Sequence, residues 1–290
     1  MNSTIVSVVS DIGSLEQTFS HSRDLYQPER GEYYSNLLYK TIQQRFDLET
    51  IKILSFDVFD TLLLRNSKYE PHRYLEMSEK VREFLIARDL QNISIEEIYG
   101  ARLTAFRVCY RTVSQNCRVK EGRLIDVLSL MAKILNLDKW VIPELIKIEL
   151  AYESENLRVN PFLEAFFRIP EIKTKQIIFI SDMYMSGEHI NQLVKQSYPD
   201  LKLAKYYSSA DCGLTKLSGF LYNFVARDLK IERSQILHMG DNLQGDVQQA
   251  KAQDIKSIHL PIPEFYLQER QQDKEKFQAE MKTKKFAIAR

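Results

Sequence analysis

Four stretches of this sequence carry residues able to do chemistry, three of them at the ends of short apolar runs. Ile51-Lys52-Ile53-Leu54-Ser55-Phe56 delivers Asp57, and Val58-Phe59-Asp60-Thr61 follows. Gln176 to Ile180 leads into Ser181-Asp182, and Ser234 to Met239 leads into Gly240-Asp241-Asn242, with Asp246 close behind. Between these two, Gly213-Leu214-Thr215-Lys216 places a lysine just ahead of a helical stretch. A hydrophobic strand rarely stops on aspartate for packing reasons, because an ionised carboxylate is costly to desolvate. Each residue also has a plainer role. Asp57 could close an Asx turn, Ser181 could begin a helix, Asp241 and Asp246 could favour the first turn of one, and Lys216 could be surface charge. Their joint order along the chain favours a site.

The elements that must position these residues follow from periodicity. Runs at 51–56, 176–181, 203–208, 235–240 and 255–260 read as buried strands. Helical patterns at 187–197, 217–230 and 244–253 separate the last four. Such alternation predicts an α/β fold, a Rossmann-like doubly wound parallel sheet with helices on both faces. In such sheets ligands bind at the carboxyl ends of the strands, where these motifs fall. Residues 66–165 lack strand alternation. Helix-forming stretches at Tyr74 to Ala87, Ser94 to Tyr110, Gly122 to Leu135 and Ile142 to Leu157 mark an inserted α-helical cap. The core is therefore expected at 51–65 and 166–267. Residues 1–50 form an N-terminal extension whose Tyr34, Leu37, Leu38, Ile42 and Phe46 fall at helical spacing. The charged tail, 268–290, reads as a solvated helix or frayed end.

With these motifs in this order, the chain resembles the haloacid dehalogenase (HAD) superfamily of aspartyl-nucleophile hydrolases. It is most similar to the branch carrying Phe-Asp-x-Phe-Asp-Thr-Leu-Leu and Ser-Asp-Met-Tyr, here Phe56 to Leu63 and Ser181 to Tyr184. The resemblance covers roughly residues 51–260. It implies Asp57 as nucleophile, with Ser181 and Lys216 on the phosphoryl oxygens and Thr61 in the catalytic loop. It also implies Mg2+ held by Asp57, the backbone carbonyl of Phe59 and Asp241, with Asp246 beside it holding Lys216 or a metal-bound water. Magnesium keeps several waters and needs only one or two carboxylates.

One departure bears on the reaction. Phosphatases of the superfamily carry a second aspartate two positions after the nucleophile, which protonates the leaving oxygen; here Phe59 stands there. Asp60 follows, where glycine is usual, and strand alternation would turn it away from the leaving group. General acid catalysis contributes about 10²–10⁴-fold, roughly 3–5 kcal/mol of barrier. Its loss should matter most for sugar alkoxides and least for acyl phosphates, aryl phosphates or halide, so Phe59→Asp is expected to raise activity on alkyl phosphates. The leading expectation is a magnesium-dependent phosphatase or phosphotransferase acting on a small phosphorylated molecule. The alternatives are carbon–halogen hydrolysis, which the aromatic Phe59 would suit, and a catalytically weak binding protein that keeps the fold. Substrate recognition is expected from the cap, with Arg102, Arg107 and Arg111 favoured because Ala105, Phe106 and Val108 make their stretch partly buried. His189, His238 and His259 read as structural.

Composition bounds the partners. Lys and Arg total 40 against 39 Asp and Glu, and apolar residues make up 44% of 290. The balance gives no reason to expect nucleic acid or an anionic membrane. Cys109, Cys117 and Cys212 lack metal-ligand spacing and point to a reducing compartment, so the protein is expected in the cytoplasm. No run approaches membrane-spanning length, and the apolar patch Ile5 to Val9 is too short for a signal-peptide core. The helix in residues 1–50 is expected to dock on the main domain or on a partner, a homo-oligomer or another protein.

Overall fold

The computed structural model describes residues 14–111 and 122–283, so the Ile5 to Val9 patch, Cys117 and residues 284–290 lie outside the described residues. The chain opens with α1 (Ser14–His21) and α2 (Gly31–Arg45), then enters β1 (Ile53–Phe56) and the short β2 (Leu63–Arg65). Helices α3 (Glu70–Ala87), α4 (Ile95–Arg111), α5 (Leu124–Ile134) and α6 (Ile142–Asn156) form the cap, and β3 (Leu157–Val159) leads back to the core. There follow α7 (Pro161–Phe166), α8 (Pro170–Lys173), β4 (Gln176–Ser181), α9 (Gly187–Ser197), β5 (Leu203–Ser208), α10 (Ser209–Cys212) and α11 (Phe220–Leu229). Strand β6 (Ile236–Gly240), a π-helical turn (Leu243–Gln248), α12 (Gln249–Ala252), β7 (Lys256–His259) and α13 (Glu264–Thr283) complete the described fold.

The five core strands are parallel in the order β5-β4-β1-β6-β7. β1 lies at the centre and is buried on both faces, which explains its unbroken apolar character. The chain fills one side of β1 with β4 and β5 and then crosses to the other with β6 and β7. The reversal at β1 makes the crevice at its carboxyl end the natural ligand site. The predicted α/β architecture is thus the observed one.

The structure bears on three domain expectations. First, the cap hangs on an antiparallel ribbon pairing Leu63 with Val159 and Arg65 with Leu157. The outgoing leg sits where the sequence placed it, but the return comes at 157–159 rather than 165. Asn160 anchors that return: its side chain donates to Thr61 O at 2.8 Å and accepts from Phe162 N at 3.2 Å. Helix α7 then belongs to the core side and packs against α2, so closely that a Cβ on Gly31 would lie 2.8 Å from Pro161 O.

Second, of the two docking surfaces open to the N-terminal helix, it is this chain's own main domain that covers the apolar face of α1 and α2. Leu15, Phe19, Leu38 and Ile42 are buried, with Phe19 against Phe162 at 5.0 Å between ring centroids. Third, the tail is not simply solvated. Over its described part α13 runs from the core, past the ribbon, onto the cap. There Phe277 and Met281 are buried in a cluster with Tyr74, Met77, Tyr99 and Tyr152. Asp273 accepts from Tyr69 N at 2.7 Å and pairs with His72, and Glu269 accepts from Ser67 at 2.6 Å beside the ribbon. No described helix is long and apolar enough to cross a membrane.

Candidate active site

Strand β1 ends at Phe56, and the Asp57 N–H donates to Met239 O of β6 at 2.9 Å, which fixes the start of the loop above the sheet. The loop doubles back at once: Leu63 N donates to Val58 O at 2.8 Å and Asp60 N to Leu63 O at 2.7 Å. Asp60 has φ of 61°, the left-handed region that glycine adopts freely and aspartate tolerates. Its carboxylate is engaged by partners outside the cavity's carboxylate cluster. It is gripped by both Nη atoms of Arg270 on α13, at 2.6 and 3.0 Å, and accepts from Arg65 N.

Lys216 is buried, and its ammonium bridges Asp57 and Asp246, with the Asp246 oxygen at 2.5 Å. Its loop is held from below by Asp182, whose carboxylate accepts the Lys216 N–H at 2.8 and 2.9 Å. Asp246 is wholly buried. It accepts from Asn242 N at 3.0 Å and pairs with His238 Nε2 at 3.1 Å, and His238 Nδ1 meets Ser55 Oγ at 2.8 Å. A Cβ on Gly240 would overlap the Asp246 carboxyl group, so only glycine admits it there. Asn242, not Asp241, caps the helical turn after β6, accepting from Gln244 N and Gly245 N. Asp241 is thereby left to the site, where Thr61 Oγ1 donates to it at 3.4 Å and His259 bonds its backbone carbonyl at 2.8 Å.

The electrostatics are those of crowded carboxylates. Burial raises Asp57 to a pKa of about 7 in spite of Lys216, with the charge on Asp246 adding to the rise. Burial, then the charges of Asp57, Asp60 and Asp246, push Asp241 well above the carboxylate range. Burial opposes ionisation of Asp246 too, but Lys216 and His238 outweigh it and hold that carboxyl below its ordinary value. Burial lowers the His238 imidazole, which favours its neutral form. Oxygens of Asp57, Asp241 and Asp246 lie within 4.8 Å of one another. An all-oxygen cluster whose negative charge a single lysine does not neutralise fits a hard divalent cation.

These groups line a cavity of about 400 Å³ together with Phe59, Ser181 and Arg65. Asp57, Phe59, Ser181, Lys216, Asp241 and Asp246 therefore line one cavity, with Thr61 against Asp241 beside it. The cap arginines are not among them. Arg102 is buried inside the cap, 2.7 Å from Glu149, and Arg107 and Arg111 lie on the exposed face of α4. Partial burial of that stretch reflects the packing of α4 against α3 and α5. Sequence reasoning passed over Arg65, Asp182 as support for the lysine loop, and the contact of His238 with Asp246. The visible signals were an arginine ending the Leu62-Leu63-Leu64 run and a polar residue inside an otherwise apolar β6.

The sequence matches no protein-family model and no curated protein. The fold is similar to several solved structures. A 2-haloacid dehalogenase from Pseudomonas syringae pv. Tomato DC3000 shares 17% identity over 72% of this chain and 86% of that one, with a TM-score of 0.49. The HAD family enzyme bt-2542 from Bacteroides thetaiotaomicron shares 14% over 72% and 93%, with a TM-score of 0.46. A predicted phosphoglycolate phosphatase from Haemophilus somnus 129pt shares 12% over 72% and 85%, with a TM-score of 0.41.

Proposed function

We propose that this chain is a HAD-type hydrolase that transfers a phosphoryl group from a small molecule to Asp57 and then to water. The observation that carries this reading is the Lys216 ammonium bridging Asp57 and Asp246 at a cavity that also holds Asp241. An Asp57 carboxylate oxygen attacks phosphorus, the bond to the leaving oxygen breaks with its electron pair, and an acyl phosphate forms. Water then attacks that phosphorus, the Asp57 carboxylate departs regenerated, and inorganic phosphate leaves. Lys216 and Ser181 offer donors to the phosphoryl oxygens. Asp57, Asp241, Asp246 and the Phe59 carbonyl are the groups that would hold Mg2+, which would supply positive charge against the incoming anion.

Phe59 offers no proton to the leaving group, and Asp60 is engaged by Arg270. The reading therefore favours aryl and acyl phosphates, whose leaving oxygens depart without protonation. The test is phosphate release from aryl, acyl and sugar phosphates with magnesium and with chelator. Turnover should require magnesium and vanish in Asp57→Asn; activity retained by a pure, folded Asp57→Asn sample would refute the nucleophile. A second reading, carbon–halogen hydrolysis, draws on the aromatic Phe59 beside Asp57, since expelling halide needs no acid. Halide release from a 2-haloacid, undiminished by chelator, would favour it instead.

A further inference from the structure

Arg65 closes β2 at the root of the cap ribbon and lines the cavity beside Phe59. Its guanidinium lies over the Phe59 ring, 4.0 Å from the centroid. Among the described residues its side chain meets no oxygen at hydrogen-bond distance. The nearest carboxylate, Glu153, is 3.7 Å from Nη2 and is shared with Arg73 at 3.5 Å. The remaining polar contact is Met183 Sδ at 4.0 Å, and the Arg65 Nε is buried without an acceptor. A buried, unpartnered Nε is shared by Arg73 and Arg102, but Arg102 and Arg270 each have a carboxylate at hydrogen-bond distance. Arg102 meets Glu149 at 2.7 Å, away from the cavity, and Arg270 meets Asp60 at 2.6 and 3.0 Å. Burial opposes the Arg65 charge, and the charges of Glu153 and Asp60 outweigh it, so the guanidinium stays charged. What its surroundings do not give it is an oxygen at hydrogen-bond distance, and a largely buried donor without one is costly.

From this, and building on the phosphoryl reading of the same cavity, we infer that Arg65 is a specificity residue for a second oxyanion on the substrate. The substrate class is a phosphorylated small molecule whose leaving portion carries a carboxylate or a second phosphate. The planar fork suits either group, through paired N–H···O bonds. The Phe59 ring covers the guanidinium from one side, so the residue standing in place of a general acid becomes the platform of the recognition group. The transferred phosphoryl group is left to Lys216 and the carboxylate end of the cavity.

The experiment measures binding separately from turnover. Asp57→Asn protein with magnesium is titrated calorimetrically with monoalkyl phosphates of two to four carbons, their ω-carboxy counterparts and the corresponding diol bisphosphates. At one chain length or more the second anion should tighten binding about tenfold or more, and the carboxylate and bisphosphate arms identify which oxyanion is preferred. Adding Arg65→Met should bring that ratio below about threefold; Arg65→Lys, which keeps the charge but not the fork, should fall between. No preference at any length, no binding of any compound, or a preference that survives both substitutions overturns the proposal. Equal weakening of the monoalkyl and doubly anionic compounds also overturns it, since Arg65 would then serve the transferred phosphoryl group. The reading of Proposed function fails separately: if the unsubstituted protein hydrolyses no phosphate while the Arg65-dependent preference holds, the chemistry is wrong and the oxyanion site stands.

Discussion

Lys216→Met offers a quantitative test of the site's electrostatics. The substitution keeps the buried stem but removes the charge shared by Asp57 and Asp246, whose side chains are 10% and 0% exposed. Stranding a buried charge by removing its partner costs about 3–5 kcal/mol. The cost must depend on pH. Asp57, already raised to about 7, is mostly protonated below that value in the native protein, whereas Asp246 is held ionised. Without Lys216 the folded state retains an additional proton on Asp246 that the unfolded chain has released above about pH 4. A raised carboxylate pKa contributes stability that is lost as pH rises towards the folded value, so the deficit of the variant grows with pH. One extra proton corresponds to about 1.4 kcal/mol per pH unit, or nearly 3 kcal/mol between pH 5 and pH 7. At about 2–4 °C per kcal/mol, chelated Lys216→Met should melt about 10 °C below the unsubstituted protein at pH 7 and by less than half that margin at pH 5. Magnesium should narrow the gap by supplying charge to the same carboxylates. Thermal melts at the two pH values, with chelator and with magnesium, provide the readout. A deficit equal at both pH values would show that Lys216 stabilises by packing and would refute the charge argument.

Three further outcomes are expected. Gly240→Ala forces a methyl group into the Asp246 carboxyl, so magnesium-dependent turnover should fall at least about 100-fold while far-UV circular dichroism still reports the fold, the loss arising from misplaced charge. The structure revises the expectation for Phe59→Asp. The new carboxylate would sit beneath Arg65, which would keep it ionised and unable to donate a proton, so alkyl phosphate hydrolysis in single-turnover assays should not rise above that of the unsubstituted protein. Phe277→Ala empties a buried position between α13 and the cap at a cost of about 3–5 kcal/mol. Because this contact fastens one end of α13, limited proteolysis should cut the C-terminal helix well before the core.

Much of this molecule is written locally. Strand β4 and helix α9 fall at the residues their periodicity predicts, because a buried parallel strand needs a continuous apolar run and an amphipathic helix an apolar stripe. Strand β5 also falls where predicted, but as an edge strand exposed over its middle rather than a buried one. The polar residues that end apolar runs were legible for the same reason: Asp57, Ser181 and Asp241 stand where packing alone would have continued the pattern, and Asp246 was marked by its place five residues after Asp241. Parallel strands then deliver them to one edge of the sheet, so the candidate site followed from the order of elements.

What tertiary structure decided is who partners whom. Arg102 and Arg65 are both arginines in partly apolar surroundings, yet one hydrogen-bonds Glu149 inside the cap and the other lines the cavity without an oxygen at hydrogen-bond distance. Helix α13 carries few apolar residues, and only the cap's aromatic cluster makes Phe277 and Met281 a docking face that sets Arg270 against Asp60. His238 looked like a polar residue tolerated in β6 until the neighbouring loop brought Asp246 onto its ring. Periodicity reports which side of an element is buried. Ion pairs and hydrogen bonds between residues far apart in sequence depend on distances that no single element contains, and only the folded chain sets them.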